Sequence, residues 1–408
     1  MTQERNIDFK KFPVAGIRLG VACAGIKKGK STSDRSDLVL IEIAENSHTV
    51  AVFTQNAFCA APVVISKKHL TLSSPRYLLV NTGNANAGTG EQGIDDAISC
   101  CDMVANVASV KTSEVLPFST GVIGEYLPVS KFQKAINSAY ENLSEDNWES
   151  AAKGILTTDT VVKAFTRSLN INNQTITISG IAKGSGMIRP DMATMLAYIA
   201  TDAKLGQGLL QNCLLDAVNH SFNRITVDGD TSTNDSAILI ATGQSGLELA
   251  KDSAELSAFQ GALTEICEEL AKDIVRDGEG ATKLISIAVS GCKDDKEAKD
   301  VAFTVAHSPL VKTAFFASDP NWGRILAAVG RAGVTDFDLS KVNIALDDVY
   351  IVRDGGKASD YSEERGQKVM DKSDITIHID LGRGDKEIMV WTCDFSYDYV
   401  RINAEYRT

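Results

Sequence analysis

Residues 183–196 read KGSGMIRPDMATML. They follow Thr175 to Ile181, TITISGI, whose alternation of apolar and polar residues predicts a strand. Gly184 and Gly186 open backbone angles closed to other residues, and Pro190 fixes φ and biases Arg189 towards extended geometry. Beyond Ala193 and Thr194, the apolar run from Met195 to Ala200 predicts a buried strand. A threonine thus stands where a glycine-punctuated loop meets a strand, behind a small residue that leaves its peptide carbonyl uncrowded. Such a hydroxyl can attack the preceding carbonyl. Hydrolysis of the ester then leaves a chain that begins with threonine, whose free α-amine is its own base. Residue types alone favour the plainer account, a loop leading into a core strand with Thr194 merely hydrogen-bonded.

The 408 residues suffice for two or three domains around a large core. Apolar content of 44% and charged content of 23% are those of a soluble globular enzyme. A net charge of −12 gives a nucleic-acid role no electrostatic support. The N-terminus, MTQERNIDFKKF, is too charged for a signal peptide, and no apolar run approaches a membrane span. A cytoplasmic location is therefore expected. The eight cysteines are scattered apart from Cys100 and Cys101, contain no CxxC and offer no zinc site. They are expected to be buried thiols acting as small apolar residues.

Residues 14–65 read as short strands, with Leu38 to Ile43 and Thr49 to Thr54 as neighbours joined through AENSH. Tyr77 to Val80 predicts another strand, followed by NTGNANAGTG as a loop and by a helix over 94–110. Gly88, Gly90 and Gly93 spell GxGxxG, the dinucleotide-binding fingerprint. Its context is poor. Polar residues separate it from the strand, and no acidic residue ends a second strand about twenty positions on. A dinucleotide-dependent oxidoreductase is kept as an alternative. Val115 to Val122, VLPFSTGV, reads as a strand and a turn. There Thr120 and Gly121 can aim a hydroxyl and an unobstructed N–H at one point, as an oxyanion hole requires, although an ordinary turn explains the same residues.

Helices are expected over 128–143, 147–155, 206–221, 247–276, 308–316 and 322–332. Strands are expected over 236–241, 283–289, 342–346, 375–379 and 387–392. Asp228, Asp230, Ser232 and Asn234 alternate as in a calcium loop, but Thr233 and Leu239 occupy its glycine and glutamate positions, so no metal is expected. This Asp- and Thr-rich loop suits the border of a polar pocket. Glu279 stands between two glycines at a helix end. The final SYDYVRINAEYRT alternates and reads as an edge strand with Asn403 on its polar face.

Six segments together resemble the ornithine acetyltransferase family, the glutamate N-acetyltransferases of arginine biosynthesis. They are residues 183–196, FTQNAFCAAPV (Phe53 to Val63), NTGNANAGTG (Asn81 to Gly90), STGVIG (Ser119 to Gly124), NRITVDGDTSTND (Asn223 to Asp235) and SDPNWGRILAAVGRAG (Ser318 to Gly333). The resemblance implies an N-terminal-nucleophile-like αββα sandwich over 1–284 and a smaller α/β domain over 285–408. It implies self-cleavage between Ala193 and Thr194 into an α chain, 1–193, and a β chain, 194–408, in an α2β2 heterotetramer. Acetyl would pass from N-acetylornithine to glutamate through Thr194, with Thr120 and Gly121 as oxyanion hole. Thr157, Lys183, Thr194, Glu279, Asn403 and Thr408 would bind substrate, with Thr158 open as the alternative to Thr157. No metal or organic cofactor is implied, and acetyl-CoA as a second donor is left open. A self-cleaving aminopeptidase or amidase would use the same nucleophile but pass the acyl group to water. A non-catalytic binding protein is the remaining alternative.

Overall fold

The computed structural model describes residues 6–26, 35–189 and 195–405. Two sheets stack face to face. The first has the order β1 (Ile17–Ala22), β2 (Leu38–Ile43), β4 (Tyr77–Asn84) and β5 (Val115–Val122). The second has the order β3 (His48–Phe53), β9 (Ser236–Ala241), β8 (Leu196–Thr201), β7 (Gln174–Lys183) and β6 (Lys163–Ile171).

Strand periodicity builds the layers, because successive side chains point to opposite faces. On β2, Val39 and Ile41 enter the core between the sheets, where they meet Leu196, Tyr198 and Ala200 of β8. Leu38 and Leu40 turn outward to the helices α1 (Ala61–Leu72), α2 (Gly90–Ala108) and α3 (Phe132–Glu141). On β8, Ala197 and Ile199 face the helices α5 (Gln207–His220) and α6 (Ala254–Arg276). The short helix α4 (Trp148–Gly154) packs Trp148, Ala151 and Ala152 into the core between the sheets. The result is the expected αββα sandwich. Strands buried on both faces read as nearly continuous apolar runs, as Leu38 to Ile43 and Ser236 to Ala241 do.

A third sheet has the order β13 (Gly356–Lys357), β12 (Val349–Arg353), β11 (Asn343–Leu346), β14 (Asp374–Asp380), β10 (Leu284–Cys292) and β15 (Lys386–Cys393). It has its own apolar core with α7 (Asp295–Ala306), α8 (Pro309–Phe316), α9 (Trp322–Gly330) and α10 (Glu363–Met370). The final helix, α11 (Tyr397–Ala404), runs from the end of β15 towards the sandwich.

Four sequence-based expectations are corrected. First, β2 and β3 are not neighbours. β2 pairs with β1 and β4, β3 pairs with β9, and the chain crosses between the sheets at residues 44–47. Asn46 takes a left-handed φ of 63° there, and no two-residue hairpin turn is present to keep the strands together. Second, residues 61–65 begin a helix, with Pro62 in its first turn, where a missing N–H costs nothing. Third, β4 continues through Asn81-Thr82-Gly83-Asn84, residues expected in a loop. Fourth, the C-terminal alternation forms a helix. Ser396 caps it by accepting from Asp398 N, and Asp398 pairs with Arg401 at 3.1 Å one turn on. Eight residues are too few for a period of two to exclude a helix. Cys23 also departs from expectation, being exposed.

Helix α3 crosses β1 at Gly20, where a Cβ would overlap the carbonyl oxygen of Ala139. Gly20→Ala is therefore expected to destabilise the protein by about 1–3 kcal/mol through overpacking. A lowered midpoint of urea unfolding at unchanged slope checks this.

Candidate active site

A cavity of about 280 Å³ opens at one end of the sandwich. Its wall brings together Thr120, Gly121, Thr157, Lys183, Glu279 and Asn403, from β5, the turn after α4, the last residue of β7, the turn after α6, and α11. Thr158 lines it too. Ala193, Thr194 and Thr408 lie outside the described residues. Met195 and Leu196, which follow Thr194 in sequence, line the cavity, and Leu196 pairs with Lys183 across β8 and β7.

Lys183 Nζ donates to Thr120 Oγ1 at 3.2 Å. An ammonium only donates, so the Thr120 hydroxyl hydrogen remains free to point elsewhere. Gly121 has a φ of 134°, and a Cβ there would overlap the carbonyl carbon of Gly83 on the parallel neighbour β4. Only glycine fits, and it leaves the local backbone open to the cavity.

Asparagines fix this strand end. Asn81 accepts from Ser119 Oγ at 2.6 Å and donates to the Asn84 carbonyl at 2.9 Å. Asn234 reaches across from the second sheet to donate to the carbonyls of Ala85, at 2.6 Å, and Ser119, at 2.9 Å. Thr89 Oγ1 donates to Asn86, and Asn86 donates to the Gly93 carbonyl at 2.8 Å. The glycine-rich run between β4 and α2 thus satisfies its own polar groups, and the GxGxxG spacing serves this local packing. Asn234 and Asp235 both line the cavity and were not singled out as site residues. Their sequence signal was the Asp- and Thr-rich loop, expected to border a polar pocket, which it does.

Behind the wall lies a buried ion triad. Lys163 Nζ donates to Asp159 at 2.7 Å and to Asp277 at 2.6 Å. The lysine and Asp159 side chains are fully buried. Asp159 also accepts from Thr157 N at 2.9 Å and Gly184 N at 2.7 Å. Asp277 accepts from Thr160 N and Oγ1. Burial alone would push the Asp159 carboxyl up, but the charges of Lys163 and Lys183 outweigh it and hold the group well below its usual range. Burial would likewise lower Lys163, and Asp159 and Asp277 hold it raised. The sequence carried this triad only as an i, i+4 pair and an aspartate at a helix end.

Glu279 is nearly buried. Its N–H donates to the Ser185 carbonyl at 3.0 Å, and its carboxylate accepts from Asn403 Nδ2 at 2.9 Å. A Cβ on Gly186 would overlap that carboxylate, so the glycine makes room for it. Asn403 lies on helix α11 and not on an edge strand; it remains exposed, and its side chain borders the cavity and donates to Glu279. The cavity therefore presents a cation, Lys183, and anions, Glu279 and Asp235, around the Thr120–Gly121 strand end. Among the described residues, no group of three or more His, Cys, Asp or Glu is set to hold a metal ion. No helix among them is long and apolar enough to cross a membrane.

Fold and cavity define a two-sheet αββα sandwich with a polar, charge-paired site where strands of both sheets end. The sequence profile of the ArgJ family matches residues 18–408, and the chain belongs to this family. A relative named arginine biosynthesis bifunctional protein ArgJ, from Methylococcus capsulatus, is 56% identical over 100% of this chain and 99% of its own. One of the same name from Pseudomonas fluorescens is 55% identical over 97% of each. Among solved structures, an ornithine acetyltransferase complexed with ornithine, from Mycobacterium tuberculosis, is 33% identical over 45% of this chain and 93% of its own, with a TM-score of 0.40.

Lys163→Met would leave two buried carboxylates without their cation, an expected cost of about 3–5 kcal/mol in urea unfolding. The native contribution of Asp159 is complete above the ordinary aspartate value of 3.8. It shrinks as pH falls below that value towards the lower folded one, because the unfolded chain takes up the proton first. Unfolding midpoints between pH 7 and pH 2 check the sign.

Proposed function

We propose that this protein is a self-cleaving acetyltransferase that moves the acetyl group of N-acetylornithine to glutamate. One observation carries the reading. A single cavity holds an ammonium, a carboxylate and a Thr-Gly strand end, and opens beside the start of β8, two residues after Thr194. An amino-acid substrate has a carboxylate for Lys183 and an ammonium for Glu279. Family membership supports the same reading.

In the proposed cycle, Thr194 Oγ attacks the Ala193 carbonyl and the Ala193–Thr194 C–N bond breaks, which frees the protonated Thr194 α-amine and leaves an ester. Water then hydrolyses the ester to an Ala193 carboxylate and the free Thr194 hydroxyl. Once deprotonated, that amine takes the hydroxyl proton as Thr194 Oγ attacks the acetyl carbonyl. The Thr120 hydroxyl and the Gly121 N–H receive the oxyanion. Ornithine leaves with the proton, glutamate enters the same pocket, and its amine takes the acetyl group in a ping-pong sequence. Thr157, Asn403 and Thr408 complete the substrate contacts, with Asn403 acting on Glu279. No organic cofactor or metal enters the cycle. The relatives' name, bifunctional protein, supports a second activity, acetylation of glutamate from acetyl-CoA. The reading extends to a cytoplasmic α2β2 heterotetramer, with residues 1–284 as the catalytic unit and 285–408 as the smaller one.

The intact mass of the denatured protein should show two fragments, 1–193 and 194–408. Thr194→Ala should stay uncut and inactive, and normal processing of that variant would sink the nucleophile assignment. Thr120→Ala should lower turnover of N-acetylornithine with glutamate by roughly 10²- to 10³-fold. A near-native rate would remove Thr120 from the oxyanion hole.

A further inference from the structure

Met187 has a left-handed φ of 55°, although Gly186 stands beside it. A left-handed residue with a full side chain is disfavoured and persists only where its surroundings hold it. The surroundings here are one loop, residues 226–231. Asp228 Oδ2 accepts from Met187 N at 2.7 Å, and Asp228 Oδ1 accepts from Ile188 N at 2.9 Å. The Ile188 carbonyl accepts from Val227 N at 2.7 Å and from Thr226 Oγ1 at 3.0 Å. The Arg189 carbonyl accepts from Thr231 Oγ1 at 3.1 Å. Asp228 is steadied by Asp230 N at 3.2 Å and by the Tyr399 hydroxyl of α11 at 3.4 Å.

Further along the same run, Ser236 N donates to the Met195 carbonyl at 2.8 Å. Residues 226–236 therefore grip the chain on both sides of the Ala193–Thr194 bond, upstream at 187–189 and downstream at 195.

We propose that Asp228 is a positioning residue for self-cleavage, holding Met187 and Ile188 in the left-handed turn that delivers the chain to the reacting bond. The proposal rests on the cleavage at Thr194 proposed above. Fixing both flanks reduces the conformational freedom that must be lost to reach a reactive geometry, which is how positioning lowers a barrier. Asp228 reaches the chemistry only through the backbone it holds, so its effect should depend on the conformational cost at Met187.

Cleavage is followed by intact mass during cell-free synthesis of the full-length chain. Asp228→Asn keeps the shape but turns an acceptor into a donor facing an N–H. It is expected to slow cleavage by about tenfold or more, with a near-native urea midpoint. Met187→Gly alone should cleave near the native rate, because glycine adopts positive φ freely. The double variant should recover most of the rate lost in D228N. A merely structural role for Asp228 would show no such rescue. Native-rate cleavage by D228N, or a double variant no faster than D228N, overturns the proposal. If D228N does not fold, Thr231→Val removes only the clasp on Arg189 and is read in the same way; a native rate there also overturns it. An unmodified chain that never cleaves refutes the proposed function instead, before any variant is compared.

Discussion

A charge with no exposed surface organises this protein. Lys163 sits inside the sandwich between Asp159 and Asp277, and taking such an ammonium out of water is tolerable only with both partners in place. The requirement fixes three distant parts of the chain at once. Asp159 holds the turn carrying Thr157 and, through Gly184 N, the end of β7 that carries Lys183. Asp277 anchors the turn after α6, and its carbonyl accepts from Ser185 at 2.6 Å. Glu279 stands two residues further on. Apolar residues of similar volume would pack as well, but they would not fix these main-chain positions. The triad sits behind the wall, lining none of the cavity but holding Thr157 of its wall.

The cavity shows how polar groups are handled at the ends of buried strands. A strand end has unpaired main-chain donors and acceptors, and burying them unsatisfied is costly. Here Asn81, Asn84, Asn86 and Asn234 supply the missing partners from their side chains. The strands can therefore stop inside the protein and still leave Gly121 open. The same solution accounts for a glycine- and asparagine-rich run that reads, out of context, like a nucleotide cradle. Two glycines mark close approaches: Gly121 lies against β4, and Gly186 gives way to the Glu279 carboxylate.

Much of the chemistry was legible in local patterns. The loop beginning at Lys183, the apolar run of β8, the Thr120–Gly121 pair and the isolated Glu279 each marked a residue that reaches the cavity. β9 was bounded correctly because a strand buried on both faces is uniformly apolar. Asp228 was visible only as part of an acidic loop, since nothing local says which N–H groups a carboxylate will meet. The triad was harder still. Its members are 114 residues apart along the chain between Lys163 and Asp277, and each alone looks like an ordinary surface charge.

The resemblance of six segments to one family implied the layered class of fold and the roles of several cavity residues, whereas residue patterns by themselves determined the periodicity of most segments and pointed to Thr120, Gly121 and Glu279. Those signals are local: alternation, glycine at crowded positions and caps at helix ends act within a few residues. Only the tertiary structure decided that β2 and β3 belong to different sheets, because strand pairing is chosen by which apolar faces find each other. It also decided that the C-terminal alternation is a helix. Eight residues fit either period, and the packing of its N-terminus against Gly280 and the bond from Asn403 to Glu279 settle the choice. A residue's partner across the fold depends on the sum of all burial, and no short stretch of chain contains that sum.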